Sequence, residues 1–406
     1  MDTGDAAWVM VSAALVLFMT PGLALFYGGM DRTKNVLNML MMNFWCLLII
    51  PVLWVVIGYS IAGANGADFD KNFIGSLDFA FLRGLGIADD GGNALVVLIF
   101  LGMFAVITPA LISGAVADRM KFSAWAIFAP LWMLLVFCPV FKWVYGGWLG
   151  SRGSLDFAGG TAIHVNAGIA ALAVVLVLGK RKGWPTEGHP PHNMPMVMLG
   201  TGILWFGWFG FNAGSALAAN GTAIQAFLNT FLAAAAAGLA WATVEKLRDG
   251  HVTNLGAASG IVAGLVAITP GAGFVSGMSP IYIGLIAGVA CSFAVGLKNK
   301  AGYDDALDVV GIHFVGGLVG SLLIGFFSSP DYFGTEVKAG LFEGGGLSLL
   351  GEQALANGAT IIYSFIVTFG IAMALKATIG LRVDEETEVG GLDLAQHAET
   401  AYHGTN

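Results

Sequence analysis

Charge is scarce in this chain: 18 Lys and Arg and 26 Asp and Glu make up only 11% of its 406 residues. Soluble domains carry roughly 25%. So few charges cannot coat a soluble fold of this length, so most of the surface must face lipid. The net charge is −8, leaving no basic footprint to displace phosphate counterions, which excludes a nucleic-acid partner. Cysteine is limited to Cys46, Cys138 and Cys291, each inside an apolar run, so neither a disulfide framework nor a metal-ligand spacing follows. Ten-residue segments of alternating polarity are missing, which argues against a transmembrane barrel. A basic leader is missing too: Asp2 and Asp5 precede the first apolar run, which reads as a retained span.

What remains is apolar and rich in small residues, with 57% hydrophobic residues and 59 glycines. Glycines scattered through apolar runs let transmembrane helices approach closely. A hydrocarbon core needs about 20 apolar residues per helix, and eleven runs meet that need, the eighth being short. They are Ala7–Gly29, Leu37–Ala62, Asn93–Ala117, Phe122–Pro139, Phe157–Leu178, Met194–Asn212, Ile224–Val244, Asn254–Ile268, Pro280–Leu297, Val309–Phe327 and Ala356–Ile379, and the only Asp, Glu, Lys or Arg within them is Lys376, near the end of the last. The expected fold is an all-α polytopic membrane protein with 11 transmembrane helices. Counted over alternate loops, one side holds 13 of the 18 Lys and Arg, and the other holds Lys71, Arg83, Lys142, Arg152 and Lys338. The positive-inside rule then puts the N-terminus outside and the C-terminus inside. The acidic tail after Leu381 reads as a solvated flexible end, with a docking surface as the alternative.

Two histidines lie within the runs, His164 in span five and His313 in span ten. An intramembrane ionisable group is expensive and marks function by default. Both occur as Ile-His-x-x-small-Gly-apolar, and each follows an Asp, Asp156 or Asp308. The two spans run in opposite directions. Matching motifs five spans apart imply a 5+5 inverted-topology repeat with an eleventh helix added. The units are then 1–183, 184–328, 329–380 with the outer loop and last helix, and the tail 381–406. Counted from the two Asp residues, the histidines reach about 12 Å and about 7.5 Å into the core at 1.5 Å per residue, which leaves them about 10 Å apart.

Each of these residues also has a structural reading. Asp156 and Asp308 stand where helix N-caps belong, and a lone core histidine is often merely hydrogen-bonded. His189-Pro-Pro-His192 is either half of a metal site or an exposed loop. An imidazole pair in an apolar lumen without a carboxylate suits a small neutral molecule, because a cation stripped of water costs far more to bury. Imidazole donates at one nitrogen and accepts at the other, so the pair can bind a small amine or relay a proton. A bis-histidine haem carrier would need further anchors that the sequence does not supply.

The placed motifs resemble the ammonium transporter family, which includes methylammonium permeases and Rhesus glycoproteins. The resemblance is carried by Met19-Thr20-Pro21-Gly22-Leu23-Ala24-Leu25-Phe26-Tyr27-Gly28-Gly29, by Leu155-Asp156-Phe157 through His164-Val165-Asn166, and by Gly207-Trp208-Phe209-Gly210-Phe211-Asn212-Ala213-Gly214-Ser215. Asp308-Val309-Val310-Gly311-Ile312-His313 and the tail from Gly380-Leu381-Arg382-Val383 to Gly391-Leu392-Asp393-Leu394 add to it. It implies a homotrimer with one apolar pore per protomer and His164 and His313 hydrogen-bonded at its centre. Phe104 and Phe211 resemble a phenyl gate. Phe100, Tyr145 and Ser215 resemble an outer ammonium site, with Asp156 as a buried acid below it. Phe26, Tyr27 and Trp208 resemble pore-lining aromatics, and Asp308 a structural helix cap. No enzyme activity, cofactor or metal is implied. The implied partners are ammonium or ammonia, membrane lipid and a cytoplasmic PII-type signal protein, at the cell (inner) membrane; an ammonium sensor signalling through its cytoplasmic face is the alternative. Three departures stand out. Tyr145 replaces the usual tryptophan, Lys142 replaces a histidine and would repel ammonium if it faced the outer site, and Leu101 stands where a glutamine is common.

Overall fold

A computed structural model of the chain describes residues 1–63, 73–330 and 337–402. Lys71, counted among the outer charges, lies outside the described residues. Among the described residues, eleven helices are long and apolar enough to cross a membrane, and each expected run corresponds to one of them. They are α1 (Thr3–Met30), α2 (Val36–Ile61), α3 (Asn93–Val116), α4 (Phe122–Arg152), α5 (Gly160–Leu178), α6 (Met194–Gly214), α7 (Gly221–Asp249), α8 (Asn254–Gly271), α9 (Ser279–Ala301), α10 (Val310–Phe327) and α11 (Ser348–Thr378). No sheet forms among the described residues, where a single isolated bridge joins Met120 to Arg382.

Polar side chains start the helices where the sequence changes character. Asp2 accepts the Asp5 N–H at α1, Asn193 that of Met196 at α6, Asn220 that of Ala223 at α7, and Thr253 that of Gly256 at α8. Each satisfies one of the backbone donors that a helix N-terminus leaves open. One span is longer than expected. The fourth continues past Pro139 to Arg152 and so contains Lys142, which is 1% exposed. A buried lysine therefore lies in a span whose expected apolar run had none.

Small residues decide which helices meet. At the crossing of α1 and α6, a Cβ on Gly200 would sit 2.4 Å from the Phe26 nitrogen, and one on Gly29 2.8 Å from the Val197 nitrogen. The contacts pair rising numbers on one helix with falling numbers on the other, so α1 and α6 are antiparallel. α5 and α10 pack in the same sense: Gly168 abuts the Phe314 backbone, and Gly317 abuts His164 and Val165. Gly168 lies four residues after His164 and Gly317 four after His313. Each contacts the residue beside the other histidine, so the crossing has a local twofold. The partners also recur five helices on: α1 meets α2 and α3 as α6 meets α7 and α8, α2 meets α4 as α7 meets α9, and α3 meets α5 as α8 meets α10. α11 packs along α5 and α10.

The tail is not a loose end as far as Tyr402. It carries a short helix, α12 (Glu385–Gly390), and lies across the face where α1 ends and α2 begins. Asp393, 3% exposed, accepts the N–H groups of Leu37 (3.1 Å) and Asn38 (2.8 Å) and so caps α2. Glu388 is clamped by Arg382 at 2.7 Å and by the Lys182 N–H at 2.8 Å, while its own carbonyl accepts from Arg32 at 2.8 Å. Buried carboxylates need such donors, and here they are supplied from loops far away in sequence.

Candidate functional site

Both histidines emerge from a π-helical turn at the start of their helix, Gly160–Val165 in α5 and Val310–Phe314 in α10. The His164 N–H reaches back five residues to the Gly159 carbonyl. Wide turns of this kind offset a side chain from the regular helical face and are frequent at functional sites. The chain before α5 is tied by the Phe157 N–H to the Pro270 carbonyl at the end of α8, so the helix begins within the protein. That removes the 10 Å gap left by counting residues along straight helices: the two Nδ1 atoms lie 3.3 Å apart, with the rings 14° from parallel.

One proton order fits the contacts of the pair. Tyr27 Oη donates to the Leu111 carbonyl at 3.1 Å and lies 3.5 Å from His313 Nε2. With the tyrosine proton committed, Nε2 of His313 is the donor in that contact, so its Nδ1 accepts and His164 Nδ1 donates. His164 Nε2 is then left with a lone pair, and it is buried without a partner. It borders a narrow lumen lined by Met19, Leu23, Phe26, Ile107, Leu111, Leu204, Trp208 and Phe211, with room for about one water-sized molecule. The Trp208 ring stacks on His164 at 5.4 Å and 18°, and its indole N–H is anchored to Thr269 Oγ1 at 2.8 Å.

Towards the face opposite the tail, Phe104 and Phe211 close the lumen with ring centroids 4.4 Å apart. Beyond them an outer hollow is lined by Phe100, Leu101, Phe104, Tyr145, Phe157 and Ser215. The structure thus brings Phe100, Tyr145 and Ser215 together. Ser215 Oγ donates to the Phe211 carbonyl at 2.9 Å, so the lone pairs of the hydroxyl are what it can offer a ligand. Lys142 does not line this hollow. Its side chain lies against Gly63 at the end of α2, so the expected repulsion of a cation at the outer site has no geometric basis.

Asp156 lies one residue before Phe157, but its carboxylate serves α5. It accepts the N–H groups of Gly159, Gly160, Thr161 and Ala162 at 2.7–3.0 Å. Burial pushes this carboxyl up and the four N–H bonds oppose the push. The cap expected of Asp308 is made by another residue. Asp308 has φ of +64°, which turns its side chain away from the helix to an ion pair with Lys298 at 2.6 Å. Asp305 accepts the Val310 N–H at 2.7 Å instead, and burial raises its carboxyl to about 6. Among the described residues no cluster of His, Cys, Asp and Glu could hold a metal ion. His192 is bonded to the Asp31 carbonyl and to Tyr402 Oη, each at 2.9 Å, so the His189–His192 pair is no half-site.

Several lumen residues were missed in the sequence: Met19 and Leu23, Ile107 and Leu111, Leu204 and Val262. The signal was there as helical spacing with residues already singled out, since Phe100, Phe104, Ile107 and Leu111 share one face of α3 and Leu204, Trp208 and Phe211 one face of α6. Without a known pore these are ordinary core positions.

The fold is shared with known proteins. Residues 7–402 match the model of the Ammonium Transporter Family. An ammonium transporter of Mycobacterium tuberculosis is 50% identical, over 99% of this chain and 90% of that protein, and one of Aquifex aeolicus 51%, over 99% and 94%. The crystal structure of Candida albicans Mep2 superposes with a TM-score of 0.89 at 35% identity, covering 100% of this chain and 91% of that one. A structure described as a sensor Amt protein gives 0.89 at 28% identity, covering 97% and 98%. The chain is a multi-pass membrane protein of the ammonium transporter family.

Proposed function

We propose that each protomer takes up ammonium in three steps. The cation rests in the outer hollow against the faces of Phe100 and Tyr145, with Ser215 Oγ accepting one of its N–H bonds. It loses a proton at the entrance to the apolar lumen, because an unpaired cation there has lost its water and gained no carboxylate. Ammonia then passes the Phe104–Phe211 pair, which must swing aside, and donates an N–H to His164 Nε2. The observation that carries this reading is that lone pair, buried without a partner in a lumen the width of one small molecule. Protonation at Nε2 would release the Nδ1 proton to His313, so the pair is also a path for the proton.

The lysine and arginine bias puts the tail face in the cytoplasm and the aromatic hollow outside, at the cell membrane. Residues 1–183 and 184–328 are the two halves of the repeat. The protomers form a homotrimer, and a PII-type signal protein would meet the basic loops beside the docked tail. The test is the current evoked by an ammonium pulse on proteoliposomes carrying the parent chain, His164→Ala or His313→Ala. A sustained current lost in both variants supports proton passage through the pair. Unchanged currents in the variants overturn it.

A further inference from the structure

One helical turn beyond the histidines, on the tail face, lies a cavity lined by Asp31, Asp118, Arg181, His189, Lys298 and Asp308. Asp31 follows Tyr27 by four residues and Asp308 precedes His313 by five, an axial step of about 6 to 7.5 Å from the pair. Arg32 and Glu187 complete the charged lining. The chain thus runs from the histidine pair to this cavity along the end of α1 and the start of α10.

Two carboxyl groups meet here with unequal support. Asp118 accepts from Arg32 Nε at 2.7 Å, from Arg181 Nη1 at 2.9 Å and from Asn35 Nδ2. Asp31 accepts only the Arg32 N–H, at Oδ1 and 2.7 Å. Its Oδ2 is buried and meets no N–H or O–H donor, and the residue is 2% exposed. Adjacent buried carboxyls do not both ionise, and the two guanidinium groups select Asp118 as the anion. Burial and then the Asp118 charge push Asp31 well above the usual carboxylate range. Against its own burial, Asp118 is held well below that range by the Asp31 hydrogen bond and by Arg32 and Arg181. Asp31 is therefore the carboxyl of the pair that keeps its proton, facing Asp118, while Asp308 is engaged by Lys298.

We propose that Asp31 returns a proton to ammonia as it leaves the pore, making the Asp31–Asp118 pair the release site for ammonium. The Asp31 O–H bond breaks, the ammonia lone pair takes the proton, and an ammonium ion faces the new carboxylate. The carboxylate formed is an anion beside the new cation, a partner that the apolar lumen does not offer. Ammonium then departs to the cytoplasm. Repulsion from Asp118 drives Asp31 to regain a proton from cytoplasmic water, and His189, whose buried Nε2 has no partner, is a second titratable group in the same cavity. No redox partner is needed.

The inference rests on the transport reading above, and chemical rescue separates the two. Ammonium-dependent flux is measured in proteoliposomes with a small permeant-free buffer acid, equal on both faces, varied from low to high concentration. The parent and Asp31→Glu keep their flux at low buffer. Asp31→Asn loses it about tenfold and recovers as the buffer supplies the missing proton. A merely structural defect is not rescued by buffer, so Asp31→Asn with parental flux at low buffer, or a loss that high buffer leaves unrepaired, overturns the proposal. Silence of the parent chain overturns the transport reading, and this inference with it.

Discussion

At the scale of single residues, the site depends on which atoms have a proton to give. Tyr27 sets that order through its bond to the Leu111 carbonyl. Replacing Tyr27 with Phe frees His313 Nε2 and lets the pair adopt either tautomer. The expected result is a several-fold fall in ammonium-evoked current, with stability lowered by only about 1 kcal/mol, read from the current on proteoliposomes and from thermal unfolding in detergent. Asp156 separates charge from shape. Asp156→Ala leaves four N–H groups of α5 without an acceptor and should cost about 2 to 3 kcal/mol, whereas Asp156→Asn keeps one acceptor oxygen and should lose roughly half as much, a difference that thermal unfolding resolves. The histidine pair proposed to carry the chemistry was legible because it breaks a rule of lipid: a histidine in an apolar run, twice, in one motif. Asp308 was misread because its position before the run suggested a cap, while the positive φ that turns it aside depends on the packing around it. Sequence places Lys142 near the outer site without saying which way it faces, and only the fold turns it towards Gly63.

At the scale of elements, the helices could be read from their apolar length and their crossings could not. The α5–α10 crossing works because Gly168 and Gly317 have no side chain. A Cβ at Gly168 would lie 2.3 Å from the Phe314 nitrogen and 2.6 Å from its Cα, atoms of backbone that cannot turn away. At Gly317 the nearest atoms lie at 3.0 Å, close enough to strain the contact and far enough to be accommodated. Gly168→Val should therefore fail to give folded protein or lose about 3 kcal/mol, and Gly317→Ala about 1 kcal/mol, with a current that falls because the histidines separate. Yield, thermal unfolding and current together check this order, and equal tolerance at the two glycines would contradict it. The docked tail was the largest surprise at this scale. Its acidic composition reads as solvated, yet Asp393 finds its donors, and Glu388 its Lys182 N–H, in residues more than two hundred positions earlier, which no local pattern signals. Asp393→Ala uncaps α2 and should speed proteolysis after Leu381 about tenfold, the equivalent of about 1.4 kcal/mol.

At the scale of the whole molecule, direction is the property on which transport depends, because the aromatic hollow and the Asp31 cavity are chemically unlike. The hollow offers π faces and a hydroxyl lone pair, suited to a cation arriving from water. The cavity offers a carboxyl proton, suited to a base departing. Uptake requires the first to face outward, which is the orientation that the positive-inside count leads us to propose. Cysteine labelling tests the assignment with little background, since Cys46, Cys138 and Cys291 are all buried and unpaired. Ser348, exposed at the start of α11, lies on the face of the aromatic hollow; Lys300, exposed near the end of α9, lies on the tail face. In intact cells a membrane-impermeant maleimide should label Ser348→Cys and spare Lys300→Cys until the membrane is permeabilised. The opposite pattern would put the proton-donating cavity outside, and the same geometry would then serve export, with ammonia protonated as it left the cell.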